Sequence, residues 1–293
     1  MESAAQLVRQ ARPVMNVGPV RFTKYHALGN DYLVLEQKEW PSLEASVVRR
    51  VCDRHRGVGS DGLLIRVGGE RHAVEIFNPD GTKAEKSGNG LRIFARYLWD
   101  LGVVGDASFV VSTAGGDVTC RVWGDSVIVD MGRVSFDSSQ IPVAGPRREV
   151  LGETLRAGDV TLTFSAATLG NPHCVILRER ASAEEARELG PLIERDRRFP
   201  KRTNVQFVEV LDRVNLKLEI WERGAGYTLA SGSSSCAAAA VLRRLGLCDG
   251  AVTVHMPGGR LAIEVGEGFA VRMSGPVVRV AQGCVFPESL SAH

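Results

Sequence analysis

The protein has 293 residues, of which 44% are hydrophobic and 24% charged, and its formal net charge at pH 7 is +2. This is the composition of a globular protein of about two domains, and it excludes a disordered or fibrous chain. No basic patch indicates nucleic acid, and no apolar run approaches the ~20 residues of a membrane helix. The six cysteines form no C-x-x-C pair and no zinc pattern, which predicts free thiols in the cytoplasm and no metal site.

Residues 1–19 contain neither an apolar block nor a cleavage site, so we expect an N-terminal tail and not a signal peptide. The first strong helical pattern follows Ser87, where Leu91, Phe94 and Leu98 recur at helical spacing. Segments rich in alternating or β-branched residues come next and predict three strands, at Phe109–Ser112, Val118–Val122 and Ser126–Met131.

The second part of the chain shows the same mixture of patterns. Val160–Phe164 and Val205–Val210 predict strands. Between them, Ser182 and Glu185 form a capping box that opens a helix. A further, apolar helix is predicted over Cys236–Leu245. Few helices among many strands predict an α+β protein.

Motifs of the first half recur in the second half at an offset of 141–144 residues. Five matches in the same order indicate a duplication. We therefore expect two pseudo-symmetric domains, each a mostly antiparallel sheet wrapped around a central helix. The predicted N-terminal domain covers residues 20–133 plus about 277–288, and the C-terminal domain covers 134–276. The matches are Ala27–Asn30 with Thr168–Asn171, Asp61 with Asn204, Phe77–Gly81 with Trp221–Ala225, Ser87–Gly88 with Ser231–Gly232, and Ala114–Gly116 with Pro257–Gly259.

The best repeated motifs are polar and precede the two apolar helices: Ser87-Gly88-Asn89-Gly90 and Ser231-Gly232-Ser233-Ser234. The first N–H groups of a helix lack internal partners, so a helix N-terminus binds carboxylates and other anions. Two such ends facing each other across a cleft would grip an anion and stabilise charge that develops on it. A serine at a helix start is also the ordinary N-cap residue.

Further polar residues favour an amino-acid-like ligand. Arg223 can bind a carboxylate bidentately while Glu222 takes an ammonium group. His173 follows Asn171 and is expected to line the site. No phosphate loop or dinucleotide fingerprint is present. Asparagines, which can both donate and accept hydrogen bonds, stand at repeat-equivalent or motif positions: Asn30, Asn78, Asn171 and Asn204.

Over about residues 20 to 288 the chain resembles diaminopimelate epimerases. The resemblance implies a site between two pseudo-symmetric domains, no pyridoxal phosphate or metal, and a homodimer. It implies α-carbon inversion of LL- or meso-diaminopimelate, a reaction of lysine biosynthesis, by one cysteine from each domain. It is carried by Lys24–Asp31, Gly57–Gly62, Phe77–Gly81, Ser87–Gly90, Gly170–His173, Arg202–Asn204 and Glu222–Gly226. The implied substrate-binding residues are Asn30, Asn78, Gly88, Asn89, Asn171, Asn204, Glu222, Arg223, Gly232 and Ser233.

The chain departs from the family pattern at the two catalytic positions, which are Ser87 and Ser231 instead of cysteines. A serine hydroxyl is far less acidic than a thiol and needs an adjacent base. Lys86 is one candidate base. Tyr227 stands where the family usually has Glu, and Ser234 where it usually has Gly, which favours natural divergence.

Three interpretations stay open. The chain is an epimerase whose cysteines have been replaced, or a diverged isomerase, tautomerase or dehydratase that works without them, or a catalytically silent amino-acid-binding protein. An isomerase that inverts or rearranges an amino-acid-like substrate at its α-carbon is the preferred prediction.

Overall fold

The computed structural model of the protein describes residues 18–40, 43–69 and 71–290. Nearly all of the predicted N-terminal tail lies outside these residues. The first half contains β1 (Val20–Ala27), β2 (Asn30–Glu36), α1 (Ala45–Cys52), β3 (Leu63–Val67), β4 (His72–Phe77), β5 (Lys83–Ala84), α2 (Gly88–Asp100), β6 (Phe109–Thr113), β7 (Gly116–Trp123) and β8 (Ser126–Arg133).

The second half contains β9 (Glu153–Ala157), β10 (Val160–Thr168), β11 (Pro172–Arg178), α3 (Ala183–Glu194), β12 (Asn204–Asp212), β13 (Asn215–Glu222), β14 (Gly226–Thr228), α4 (Gly232–Arg244), β15 (Ala251–Met256), β16 (Gly259–Val265), β17 (Ala270–Pro276) and β18 (Val278–Val285). The predicted α+β class is confirmed.

The order of strand pairing repeats between the halves. In the first half β1 pairs with β2 antiparallel, β2 with β3 parallel, β3 with β4 antiparallel, and β4 with β6 parallel. In the second half β10, β11, β12, β13 and β15 pair in the same sequence of directions. The predicted internal repeat is therefore present in the topology.

Two pairings complete the sheet. Strands β8 and β17, which end the repeated units, pair antiparallel and join the halves. Strand β18 returns to pair with β1, just as β9 pairs with β10. Each half thus has the same set of strands around one helix.

The central helices α2 and α4 are enclosed by these strands. Leu91, Ile93, Phe94 and Leu98 of α2 have no exposed surface. Helix α4 is buried almost all round, including the run Cys236–Ala240. A helix that is apolar on every side belongs inside a core, and the small alanine side chains let the strands approach it closely.

The predicted helix starts are refined by the structure. Helix α4 begins at Gly232, four residues before the predicted start, because Ser231 is its N-cap. Ser182 caps α3 as predicted and accepts a hydrogen bond from the Glu185 N–H. The Glu185 carboxylate forms an ion pair with Arg178 instead of closing the capping box.

Candidate active site

Ser87 and Ser231 are matched N-cap residues. Ser87 Oγ accepts a hydrogen bond from the Gly90 N–H at 3.1 Å, and Ser231 Oγ accepts one from the Ser234 N–H at 3.4 Å. Both serines have an extended backbone, with φ, ψ of −139°, 120° and −143°, 125°. The ordinary N-cap role is therefore met at both positions, and each hydroxyl lies at the positive end of a buried helix.

The two helix N-termini lie against each other. A Cβ atom placed on Gly88 would lie 3.6 Å from Gly232 Cα and 2.8 Å from Met273 Cε. A Cβ atom on Gly232 would lie 2.8 Å from Met273 Sδ. The repeated glycines are needed because a side chain at either position would collide with the buried Met273 side chain.

A chain of polar side chains lies beside α2. Asn89 Nδ2 donates to Asn30 Oδ1 at 3.0 Å, and Asn30 Nδ2 donates to Asp61 Oδ2 at 3.0 Å. Arg92 Nη2 donates to Asn89 Oδ1 at 2.7 Å. Arg92 has no exposed surface, and its Nε has no hydrogen-bond partner among the described residues. Burial lowers the pKa of the Arg92 guanidinium to about 10.

A cluster of ion pairs lies at the Asp61 end of this row of hydrogen-bonded side chains. Asp31 forms ion pairs with Lys24 and Arg54, both at 2.7 Å, and Arg54 also pairs with Asp61. Although burial opposes ionisation, hydrogen bonds from Arg54 and Lys24 lower the pKa of Asp31 to about 2. The ionised cluster holds Asp61, and through it Asn30, in place.

A second buried network lies beside α4. The His173 ring contacts Asn171 Oδ1 through Nε2 and Gln206 Nε2 through Nδ1, each at 3.1 Å. Gln206 Nε2 also donates to Ser234 Oγ at 3.0 Å. Asn171 Nδ2 donates to Ser233 Oγ at 3.5 Å. Burial, with a smaller effect of the Arg223 charge, lowers the pKa of His173 to about 3, so the ring is neutral.

Asn204 and Arg223 form the rim of the second half. Asn204 Nδ2 donates to the Pro172 carbonyl, and Asn204 Oδ1 accepts from the Arg223 N–H, both at 2.9 Å. The Arg223 side chain is exposed and donates to the Lys201 carbonyl. Asn204 therefore positions the Glu222–Arg223 loop, while the guanidinium stays accessible.

Each serine has a titratable neighbour. The Tyr32 hydroxyl lies 3.3 Å from Ser87 Oγ, and only 6% of Tyr32 is exposed. Burial, with the charges of Glu222 and Asp61, raises the pKa of Tyr32 to about 12, although the hydrogen bond with Ser87 opposes this. Burial also raises the pKa of Glu222, against a hydrogen bond from Ser231. The Glu222 charge contributes to the raised pKa of Tyr32 although the two residues come from different halves, so the halves converge at this point.

Tyr32 was not singled out from the sequence, and neither were Arg92 and Gln206. Tyr32 lies two residues after Asn30 in a recognised motif, but Ser87 is 55 residues further along the chain. Only the fold brings the two hydroxyls together. The polar residues Arg92 and Gln206, each within an apolar stretch, are the one available sequence signal.

Several residues weighed from the sequence have partners away from the serines. Asn78 Nδ2 donates to Thr82 within its own loop. The Lys86 ammonium donates to the Met131 carbonyl at 3.4 Å, and burial lowers its pKa. The Tyr227 hydroxyl donates to Glu219 at 2.7 Å. None of these contacts places the side chain at Ser87 or Ser231.

Cys236 is completely buried inside α4, and burial raises its pKa to about 12. It does not replace the missing thiols at the helix starts.

Across residues 18–40, 43–69 and 71–290, no group of three His, Cys, Asp or Glu side chains could hold a metal ion. Within the same residues, no helix is long and apolar enough to cross a membrane.

The sequence model of the family described as diaminopimelate epimerase matches residues 22–136 and 165–280, one segment in each half. The chain belongs to the diaminopimelate epimerase family. It is 51% identical over 270 residues to diaminopimelate epimerase 2 of Nostoc sp., covering 90% of this chain and 95% of that protein. It is 40% identical to the diaminopimelate epimerase of Pelotomaculum thermopropionicum, covering 90% and 98%. The chain is thus an isomerase of this family.

Solved structures show the same fold at low sequence identity. A hydroxyproline epimerase from Agrobacterium vitis matches with a TM-score of 0.67 at 14% identity, covering 91% of each chain. A phenazine biosynthesis protein of the PhzF family from Enterococcus faecalis matches with a TM-score of 0.66 at 13% identity, covering 92% and 99%. The predicted two-half epimerase fold is confirmed.

Proposed function

We propose that the protein is a cofactor-independent epimerase that inverts the α-carbon of diaminopimelate, between the LL and meso forms, in lysine biosynthesis. The observation that carries this proposal is the pair of serine-capped helix N-termini that meet where the two halves converge. Inversion needs one group to remove a proton and another to return it on the opposite face. A pair of equivalent helix starts, one from each half, supplies that arrangement.

The proposed roles follow the positions of the side chains. Ser87 and Ser231 are the catalytic residues. The N–H groups after them hold the α-carboxylate and stabilise the carbanion, because helix N-termini favour negative charge. Glu222 binds the substrate as its ammonium-binding residue, and Arg223 at the exposed rim takes a carboxylate. The remaining proposed substrate-binding residues are Asn30, Asn78, Gly88, Asn89, Asn171, Asn204, Gly232 and Ser233.

The domain boundaries are proposed with the function. Residues 20–133 plus about 277–288 form one domain and residues 134–276 the other. The pairing of β18 with β1 supports this division.

We also propose a cytoplasmic homodimer. Six described cysteines are free thiols, which suits a reducing compartment. Among the described residues β18 pairs only with β1, and its Val278 and Val280 are 48% and 52% exposed. An exposed apolar edge strand favours self-association. Light scattering should give twice the chain mass, and a Val280→Lys variant should be monomeric.

The function is tested by incubating the protein with LL- and meso-diaminopimelate in D₂O. Proton NMR follows loss of the α-hydrogen, and a chiral separation follows inversion. Exchange and inversion of either form support the proposal. Calorimetric binding without exchange would indicate a silent binding protein instead.

A second candidate is an isomerase that acts on a different acid. The observation that favours it is the replacement of both catalytic cysteines by serine, together with Tyr227 at a usual Glu position. The same D₂O assay with carboxylic acids that lack an amino group separates the two candidates. Exchange confined to those acids would refute the diaminopimelate proposal.

A further inference from the structure

Arg92 of α2 places a positive charge inside the core. The residue has no exposed surface, and no acidic side chain in residues 18–40, 43–69 and 71–290 forms an ion pair with it. Its pKa, although lowered by burial to about 10, keeps the guanidinium charged at neutral pH. A buried charge without a counter-ion is costly, and a well-packed hydrophobic residue would serve the stability of the fold at least as well. The charge therefore needs a reason other than stability.

The guanidinium lies against the start of the other central helix. A Cβ atom placed on Gly232, the first residue of α4, would lie 3.3 Å from Arg92 Nη1. Arg92 Nη1 also contacts Met273 Sδ at 3.4 Å. Met273 Cε in turn would lie 2.8 Å from a Cβ atom on Gly88, the first residue of α2. The charge is therefore located where the starts of α2 and α4 meet.

This position is the opposite of the one that helix electrostatics favours for a cation. A helix N-terminus carries about half a positive charge, so cations stabilise helix C-termini and are disfavoured at N-termini. Here a full charge joins two N-termini in a buried region, where interactions between charges are strong. An anion bound between the two helix starts would offset this positive potential.

We propose that Arg92 is a positioning residue for the reaction, and that its buried charge stabilises the carbanion that forms between the two helix starts. The inference rests on the proposed function, because the carbanion is that of diaminopimelate. Since Arg92 is not exposed, it does not touch the substrate. It acts through its electric field and through the orientation of Asn89.

Asn89 is the side chain that Arg92 orients directly. Arg92 Nη2 donates to Asn89 Oδ1 at 2.7 Å, which leaves Asn89 Nδ2 to donate to Asn30 Oδ1 at 3.0 Å. Asn89 is the second residue of α2 and follows the N-cap Ser87 by two positions. The guanidinium therefore fixes the direction of an amide in the first turn of the helix.

The field of Arg92 favours each step that adds negative charge between the helix starts. Removal of the α-proton leaves a negative charge on the substrate, and a positive charge that is already in place stabilises it without reorganisation. The acidity of a group at a helix start reports the same field. A unit charge within ~10 Å of an acid lowers its pKa by about one unit at an effective dielectric constant of ~20.

The first experiment measures this field without substrate. Ser231→Cys introduces a thiol at the N-cap of α4, and its pKa is read from the ultraviolet absorbance of the thiolate in a pH titration. The same protein with Ser231 intact is the blank, which removes the signal of the six natural cysteines. Adding Arg92→Met should raise the pKa of the introduced thiol by about one unit or more.

Two further variants separate the charge from the packing. Arg92→Lys keeps the charge, so the pKa of the thiol should stay within about half a unit of its value beside Arg92. Arg92→Gln keeps an amide donor for Asn89 but carries no charge, and it should raise the pKa as Arg92→Met does. It also decides the question if Arg92→Met does not fold. If Arg92→Lys raises the pKa as much as the uncharged variants, the charge is not responsible and the inference is wrong.

Arg96→Met is the matched control. Arg96 lies one helical turn further along α2, and its charge is paired with Asp100 at 2.8 Å. Its loss should leave the pKa of the introduced thiol unchanged. A shift as large as that of Arg92→Met would show that the net charge of the protein, and not the position of Arg92, sets the pKa, and it would contradict the inference.

The second experiment measures inversion of LL- and meso-diaminopimelate in D₂O. Arg92→Met should lower kcat at least about tenfold, since one pKa unit corresponds to a factor of ten, while KM changes less. Arg92→Lys should restore most of the rate, and Arg96→Met should not alter it. A loss of kcat with a lower urea midpoint and an unchanged pKa of the thiol would show a structural role and overturn the inference.

The two experiments distinguish a failure of the inference from a failure of the proposed function. If the wild type inverts diaminopimelate and neither Arg92→Met nor Arg92→Gln raises the pKa of the thiol, the inference is wrong and the function stands. If the pKa rises as expected but the wild type neither exchanges nor inverts diaminopimelate, the proposed function is refuted, and only the anion-stabilising field of Arg92 stands.

Discussion

Replacing Gly232 with alanine measures how tightly the start of α4 packs against the side chains of Met273 and Arg92. The new Cβ would lie 2.8 Å from Met273 Sδ, 3.1 Å from Met273 Cε and 3.3 Å from Arg92 Nη1. Overpacking of a core lowers the free energy of unfolding by about 1–3 kcal/mol. Replacing glycine by alanine in a helix raises it by about 0.5–1 kcal/mol. We therefore expect the free energy of unfolding to fall by up to about 2.5 kcal/mol.

Met273 provides the internal check, because its thioether receives the new methyl group. Met273→Ala alone should cost about 2–5 kcal/mol, since the side chain is completely buried. In the double variant the alanine methyl occupies part of the vacated space. The double variant should therefore be more stable than the sum of the single changes by about 1 kcal/mol or more.

The assay is urea unfolding of the four proteins in this cycle, with midpoints compared at constant m-value. Gly105→Ala is the control, because a Cβ there meets nothing within 4 Å, and its effect should stay within about 0.5 kcal/mol. Additive changes at Gly232 and Met273, within about 0.5 kcal/mol, would refute the close contact between Gly232 and Met273.

Three further predictions concern the site. The pKa of His173 is lowered from 6.5 to about 3. Below pH 6.5 the imidazole is therefore protonated in the unfolded chain but stays neutral in the folded protein. The free energy of unfolding should then fall by up to ~1.4 kcal/mol per pH unit as the pH is lowered. His173→Gln should remove this part of the loss between pH 7 and pH 5, as measured by urea unfolding. Equal losses in the variant and the wild type would contradict the prediction. Arg223→Ala should weaken binding of diaminopimelate at least about tenfold in calorimetry, since a charge-assisted hydrogen bond contributes ~1.5–3 kcal/mol. The stability of the protein should stay unchanged. An affinity equal to that of the wild type would show that Arg223 is not part of the site. The double change Ser87→Cys and Ser231→Cys should raise inversion by about 10²-fold or more, because a helix N-terminus lowers the pKa of a thiol; no gain would favour a diverged reaction.

Local signals were sufficient to predict the two serine caps. Whether a Ser-Gly pair before an apolar run caps a helix depends on residues within one helical turn. Both α2 and α4 begin at such a pair. The repeat offset also predicted that the second half copies the first. Both predictions depended on short stretches of chain, which a single sequence shows directly.

Contacts between distant segments were not predictable in this way. Strand β2 gave no alternating pattern because Asp31 to Leu35 are buried on both faces, and a uniform apolar run does not separate strand from helix. Tyr32 sits on this strand, so its position beside Ser87 was hidden. For Lys86 the residue type was informative, but the direction of the side chain depended on the Met131 carbonyl. The role of Asn78 in substrate binding stays a prediction.

The pairing of β1 with β18 makes the two halves unequal during synthesis. In the second half, β9 and β10 form a local hairpin in which Ala157 pairs with Val160. In the first half, the corresponding partner of β1 lies at the far end of the chain, where Val20 pairs with Val285. Contacts of such long sequence separation form slowly. The first half to leave the ribosome is therefore the last to be completed, and until then β1 presents an open edge that a second nascent chain could occupy.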